Sequence, residues 1–103
     1  MIEISKHAFK RLSERSGLSK KAAQRMAEKA FTQGITHSET KGNLNKYVTK
    51  LYFNNTNANN IRLYGDKAFI FAGNTLVTVL QIPSSLTKDM KSMIKVNSNT
   101  EGL

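Results

Sequence analysis

His7, Arg11 and Arg15 fall at i, i+4 and i+8, a spacing that on an α-helix sets all three along one ridge. An imidazole beside two guanidinium groups can hold a phosphate in the arginine forks and move a proton near neutral pH. The same ridge can also be a solvated basic face in which Arg15 pairs with Glu14 or Glu3, and spacing does not choose. Arg62 and Tyr64 share one face of a β-type run, with Lys67 just across Gly65-Asp66. They offer a phosphate clamp and a stacking surface of the kind single-stranded nucleic acids use. The alternative is an edge strand protected by charge, with Tyr64 packed at its rim. Thr78 interrupts Leu76-Val77-Thr78-Val79-Leu80, where a hydroxyl must find a partner or reach a cleft. His37, beside Ser38, Glu39 and Thr40 and not far from Tyr47, is either a general acid or base or a solvated loop histidine.

Two histidines, seven scattered acids and no cysteine supply none of the spacings that metal sites need. Neither a glycine-rich nucleotide loop nor a nucleophile elbow is present. Any catalysis is therefore expected to run without metal or cofactor.

The elements that must position these side chains follow from periodicity. Ser5 is placed to cap a helix over about 6–15, with Ala8, Phe9 and Leu12 apolar and Gly17 to end it. Ser19 caps a second helix in which Ala23, Met26, Ala27, Ala30 and Phe31 recur at helical spacing, and Gly34 stops it. Residues 35–42 read as a polar loop. Leu44, Tyr47, Val48, Leu51 and Tyr52 fit a third helix near 43–53, although Tyr, Val, Thr and Phe also favour strands. Residues 60–64, 67–72 and 75–82 are β-type runs split by Gly65-Asp66 and Gly73-Asn74, which are antiparallel hairpin signals. The first run reads as the more exposed, the later two as more central. Leu86, Met90, Met93 and Ile94 mark one face of a short last helix.

The 103-residue length fits one small domain, expected over 1–96 with a disordered tail at 97–103. The fold class expected is α+β: two or three N-terminal helices on a twisted antiparallel sheet of three to four strands, with the helices on one sheet face. The formal charge of +9 makes a polyanion the expected partner, although a soluble basic protein with no such partner has the same composition. The lack of cysteine excludes a secreted disulfide scaffold and fits a cytoplasmic location. No apolar run resembles a signal peptide or a membrane span.

The opening Ile4-Ser5-Lys6-His7-Ala8-Phe9-Lys10-Arg11-Leu12-Ser13-Glu14-Arg15 resembles the start of small bacterial and phage proteins of the DUF4258-like group. These are similar to the barnase/EndoU/colicin/RelE (BECR) superfamily of RNases and toxins. The runs 60–65, 67–71 and 76–80 resemble that superfamily's closing meander. The resemblance implies a sheet whose open face, with a helical histidine and arginine, binds or cleaves RNA without metal. His7 would then be general acid or base, Arg11 and Arg62 would hold the phosphate, and Thr78 or Tyr64 would orient it.

The leading expectation is a nucleic-acid-binding protein of the metal-independent ribonuclease or toxin type, with RNA ahead of DNA as partner and a cognate inhibitor protein conceivable beside it. Its catalytic residues would be His7, Arg11, Arg62 and Thr78. Lys6, Lys10, Arg15, His37, Tyr47, Tyr64 and Lys67 would contact nucleic acid. The second reading is a binding module without catalysis. In one version, Gly17-Leu18-Ser19 is the turn of a helix-turn-helix and Lys20, Lys21, Gln24 and Arg25 face DNA. The third is an inhibitor or adaptor with an apolar patch at Met90, Met93 and Ile94. Oligomeric state is left open.

Overall fold

The computed structural model describes residues 2–88. The expected tail at 97–103, and Met90, Met93 and Ile94 of the last amphipathic segment, lie outside the described residues. In chain order the elements are β1 (Glu3–Ile4), α1 (Lys6–Ser16), α2 (Lys20–Gln33), a 3₁₀ turn (His37–Glu39), α3 (Gly42–Asn54), β2 (Asn60–Tyr64), β3 (Lys67–Ala72) and β4 (Thr75–Gln81). Residues 84–88 are helical. The fold is α+β, with helices packed on a four-stranded sheet of order β1-β4-β3-β2.

β2, β3 and β4 form the antiparallel meander that the hairpin signals predict. The sheet is nonetheless mixed, because β1 joins β4 in parallel. Two residues are too few to show alternation, so this strand left no mark in the pattern.

The caps act as their residue types dictate. The Ser5 hydroxyl accepts from the Ala8 N–H at 3.1 Å and the Ser19 hydroxyl from the Ala22 N–H at 3.2 Å, satisfying donors at the two helix starts. Gly17, at φ 63°, ends α1 in the left-handed region where a Cβ is penalised.

β3 is apolar on both sides because it is the strand buried on both sides. Phe69 and Phe71 face Ala8, Leu12, Ala23, Ala27 and Ala30 of α1 and α2. Ala68 and Ile70 face Leu44, Val48 and Leu51 of α3, with Ile61, Leu63 and Ile82. Helices therefore cover both faces of the sheet, which corrects the expectation of helices on one face and of an open face for RNA. The cause lies in two sequences at once. Ile61 and Leu63 alternate with Arg62 and Tyr64, and α3 carries an apolar stripe of its own; the two stripes leave water by closing on each other.

β4 carries one irregularity. Thr78 lies opposite Ile70 but Leu76 lies opposite Phe71, so Val77 is an extra residue, a β-bulge. The bulge lets Leu76 and Val79 enter the same core although they stand three positions apart, an odd spacing that regular alternation would send to opposite faces. It also anchors the start of α1: the Ser5 hydroxyl donates to the Val77 carbonyl at 2.9 Å, and the Ser5 N–H to the Leu76 carbonyl at 3.0 Å.

Candidate nucleic-acid interface

α1 buries Ala8 and Leu12 and so turns its basic residues outward. Lys6, His7, Lys10 and Arg15 are exposed and Arg11 is half-buried. Lys10 lies 3.9 Å from Glu14, the loosest of contacts between two exposed side chains. Among the described residues, His7, Arg11 and Arg15 have no hydrogen-bond or ion-pair partner. Arg15 thus pairs with neither Glu14 nor Glu3. Lys20, Lys21, Arg25 and Lys29 extend the exposed basic surface onto α2.

Gln24 does not join them. Its amide donates to the Ile2 carbonyl at 2.6 Å and to Glu28 at 3.1 Å, tying α2 to the strand entering the sheet. A base-reading role for Gln24 in a helix-turn-helix would require breaking both bonds.

The β2 candidates are structurally committed as well. Arg62 lies opposite Phe69, on the α1–α2 side. Its Nη1 donates to the Gly34 carbonyl at 2.6 Å and its Nε to the Asn60 side chain at 3.2 Å. Tyr64 meets Phe69 edge to face, with ring centroids 6.4 Å apart. The Lys67 ammonium is 2.8 Å from Asp66, and the Gln81 amide also reaches that carboxylate at 3.0 Å. These two contacts, Lys67 first, hold Asp66 below the usual carboxylate range.

Thr78 lies on the other side of the sheet. It is opposite Ile70, which packs toward α3, whereas Arg62 is opposite Phe69. The four residues expected to be catalytic are therefore split by the sheet: strand alternation, shifted by the Val77 bulge, turns Thr78 away from Arg62.

His37 belongs to a network instead of a free loop. Its Nε2 lies 2.8 Å from the Thr49 hydroxyl, and its ring is 5.3 Å from that of Tyr52. The Tyr52 hydroxyl accepts from the Ile61 N–H at 2.9 Å. Buried Thr40 donates to the His37 carbonyl at 2.6 Å and accepts from Asn45 at 3.0 Å. Glu39 accepts from the Thr36 N–H at 2.9 Å and the Thr36 hydroxyl at 2.8 Å. Those bonds lower its pKa against a small desolvation penalty, and the field of Arg62 adds to them. Tyr47 is half-buried against the α3 core, where desolvation raises its pKa.

A shallow open depression of about 480 Å³ lies between Ile2 and the Arg25, Glu28, Lys29, Phe31 and Thr32 side chains of α2. It includes none of the residues expected to be catalytic. Among the described residues no three His, Cys, Asp or Glu side chains gather as a metal set, and no helix is long and apolar enough to cross a membrane.

One residue escaped the reading of the sequence. Phe53 is 78% exposed at the end of α3. The signal was there: Leu51, Tyr52 and Phe53 are consecutive, and at 100° per residue a helix cannot bury all three.

No family model matches the chain, and no curated protein or solved structure was found similar to it. The resemblance to the DUF4258-like group and the BECR superfamily rests on the quoted residues alone.

Proposed function

We propose that this protein is a cytoplasmic nucleic-acid-binding module that holds a phosphate backbone against the outer face of α1 and the exposed start of α2, with RNA ahead of DNA. One observation carries the reading. Lys6, Lys10, Arg11 and Arg15 share an 11-residue helix with His7, and the helix's one acid, Glu14, makes only the loose contact with Lys10. Like charges held together at such density repel one another, and a polyanion relieves that repulsion by exchanging its counterions for the side chains. Cysteine-free composition supports the cytoplasmic assignment.

The metal-independent ribonuclease remains the second reading, favoured by the exposed imidazole of His7, which has no partner among the described residues. It would have to work without Thr78, which faces α3, and with an Arg62 drawn off the Gly34 carbonyl.

The test is a titration of single-stranded RNA over a range of salt, with a cleavage assay in EDTA alongside. Wild-type binding should fall steeply with salt. Arg11→Ala with Arg15→Ala should flatten the log–log slope by about 1.4, two contacts at about 0.7 each. Binding that ignores salt or the double substitution would remove the module reading. EDTA-resistant cleavage lost in His7→Ala would move the assignment to the enzyme.

A further inference from the structure

The outer ridge of α3 combines an exposed aromatic ring with uncompensated positive charge. Leu44, Val48 and Leu51 face the sheet, so Lys46, Lys50 and Phe53, at i, i+4 and i+7, line the opposite side, and all three are exposed. Neighbours at this spacing have Cβ atoms about 5–6 Å apart. Neither lysine has an ion-pair partner among the described residues. From Thr40 to Gly65 the sequence contains no Asp or Glu at all. Exposed Asn54 ends the helix just after the ring, and exposed Asn57 lies in the turn that follows.

A lone exposed apolar side chain is ordinary on a protein surface. The two ammonium groups beside this one, with no carboxylate in the surrounding sequence, distinguish it. Such a ridge repels basic partners and attracts anionic ones. Among anionic partners, a protein interface of standard size wants about 800 Å² per side with an apolar centre, and a single ring does not supply one. A single-stranded polynucleotide needs only a flat face for a base and cations for the adjoining phosphates. The neighbouring amides offer both donors and acceptors to a 2′-hydroxyl, which favours RNA.

We propose that this ridge is a second contact surface for single-stranded RNA, with one base stacked on Phe53 and flanking phosphates held by Lys46 and Lys50. The proposal rests on the nucleic-acid reading above, but places a contact on a helix across the sheet from α1.

The chain contains no tryptophan, so Phe53→Trp introduces a single indole reporter at the ridge. The full-length variant would be titrated at low salt with a 12-nucleotide oligo(U), with oligo(dT) of the same length, and with poly-glutamate. Quenching by oligo(U), less by oligo(dT) and none by poly-glutamate, is expected. In an unlabelled assay Phe53→Leu should weaken oligo(U) binding about tenfold, and Lys46→Gln with Lys50→Gln should flatten the salt slope by about 1.4. Oligo(U) binding that leaves the indole unchanged, with Phe53→Leu equal to wild type, overturns the α3 contact while leaving the α1 reading intact. Failure of any oligonucleotide to bind the wild type overturns both. An equal response to poly-glutamate or to oligo(dT), or a blue-shifted indole indifferent to every ligand, also overturns it.

Discussion

The guanidinium of Arg62 donates to the carbonyl oxygen of Gly34 at 2.6 Å, across 28 residues of sequence. The contact closes the end of α2 onto β2, beside the Ile35–Leu63 pair that exchanges backbone hydrogen bonds at 2.8 and 3.0 Å. It requires a glycine: a Cβ at position 34 would stand 2.8 Å from the Arg62 Cβ and collide with the Ala30 carbonyl. An arginine that looked like a phosphate clamp in the sequence is thus a fastener between two elements.

Gly34→Ala should therefore destabilise the protein by about 1–3 kcal/mol, the usual range for forcing atoms into an occupied space. Arg62→Ala should lose a similar amount by leaving the Gly34 carbonyl short of a partner. Urea unfolding with an unchanged m-value reads both. An Arg62→Ala protein as stable as wild type, yet weaker for RNA, would restore Arg62 to the ligand.

Acid should weaken the fold through Glu39 and Asp66. Both pKa values are lowered in the folded state, Glu39 chiefly by the Thr36 N–H and Asp66 chiefly by Lys67. A lowered folded pKa gives stability that is present above the unfolded value, near pH 4, and lost as pH falls through the folded value. Both carboxylates are exposed, so screening keeps each contribution below about 1 kcal/mol. Denaturation midpoints at pH 7, 4 and 3 should drop less in Glu39→Gln/Asp66→Asn than in wild type. Parallel pH profiles would show that the two carboxylates titrate alike in both states.

Much of this architecture is written in local chemistry. Ser5, Gly17, Ser19 and the glycine-bearing turns fix the ends of α1, α2 and the hairpins, and the period of Leu44, Val48 and Leu51 makes α3 a helix despite its β-favouring residues. What sequence periodicity does not carry is which elements meet. The polar alternation of β2 says that one side differs from the other, and α3 shows one apolar stripe, but neither says that the two face each other. For the same reason Arg62 and Thr78 looked like members of one site. Residue types are local, whereas the side of the sheet on which Thr78 falls depends on the Val77 bulge.

The bulge makes a sharp prediction about two valines. Strict alternation would give Val77 and Val79 the same environment, yet Val77 is 39% exposed and Val79 only 3%. Val77→Thr should change stability by less than about 0.5 kcal/mol. Val79→Thr should cost about 1–3 kcal/mol, because the same hydroxyl enters the core beneath α1 without a built-in partner. Equal losses by thermal or urea unfolding would mean that β4 pairs in regular register.

His37 offers a test at the level of a single proton. The Thr49 hydroxyl has one hydrogen, and it is donated to the Asn45 carbonyl at 2.8 Å. Its 2.8 Å contact with His37 Nε2 therefore requires the imidazole to be the donor, which fixes the neutral ring as the Nε2–H tautomer. Long-range ¹⁵N–¹H correlation spectra of the neutral ring should show a pyrrole-type Nε2 and a pyridine-type Nδ1. Thr49→Ser should keep that signature, and Thr49→Val should mix the tautomers at a stability cost of about 1 kcal/mol. A pyridine-type Nε2 in the wild type would mean that the Thr49 proton points at the ring, and the hydrogen-bond chain from His37 through Thr49 to Asn45 would run in the opposite direction.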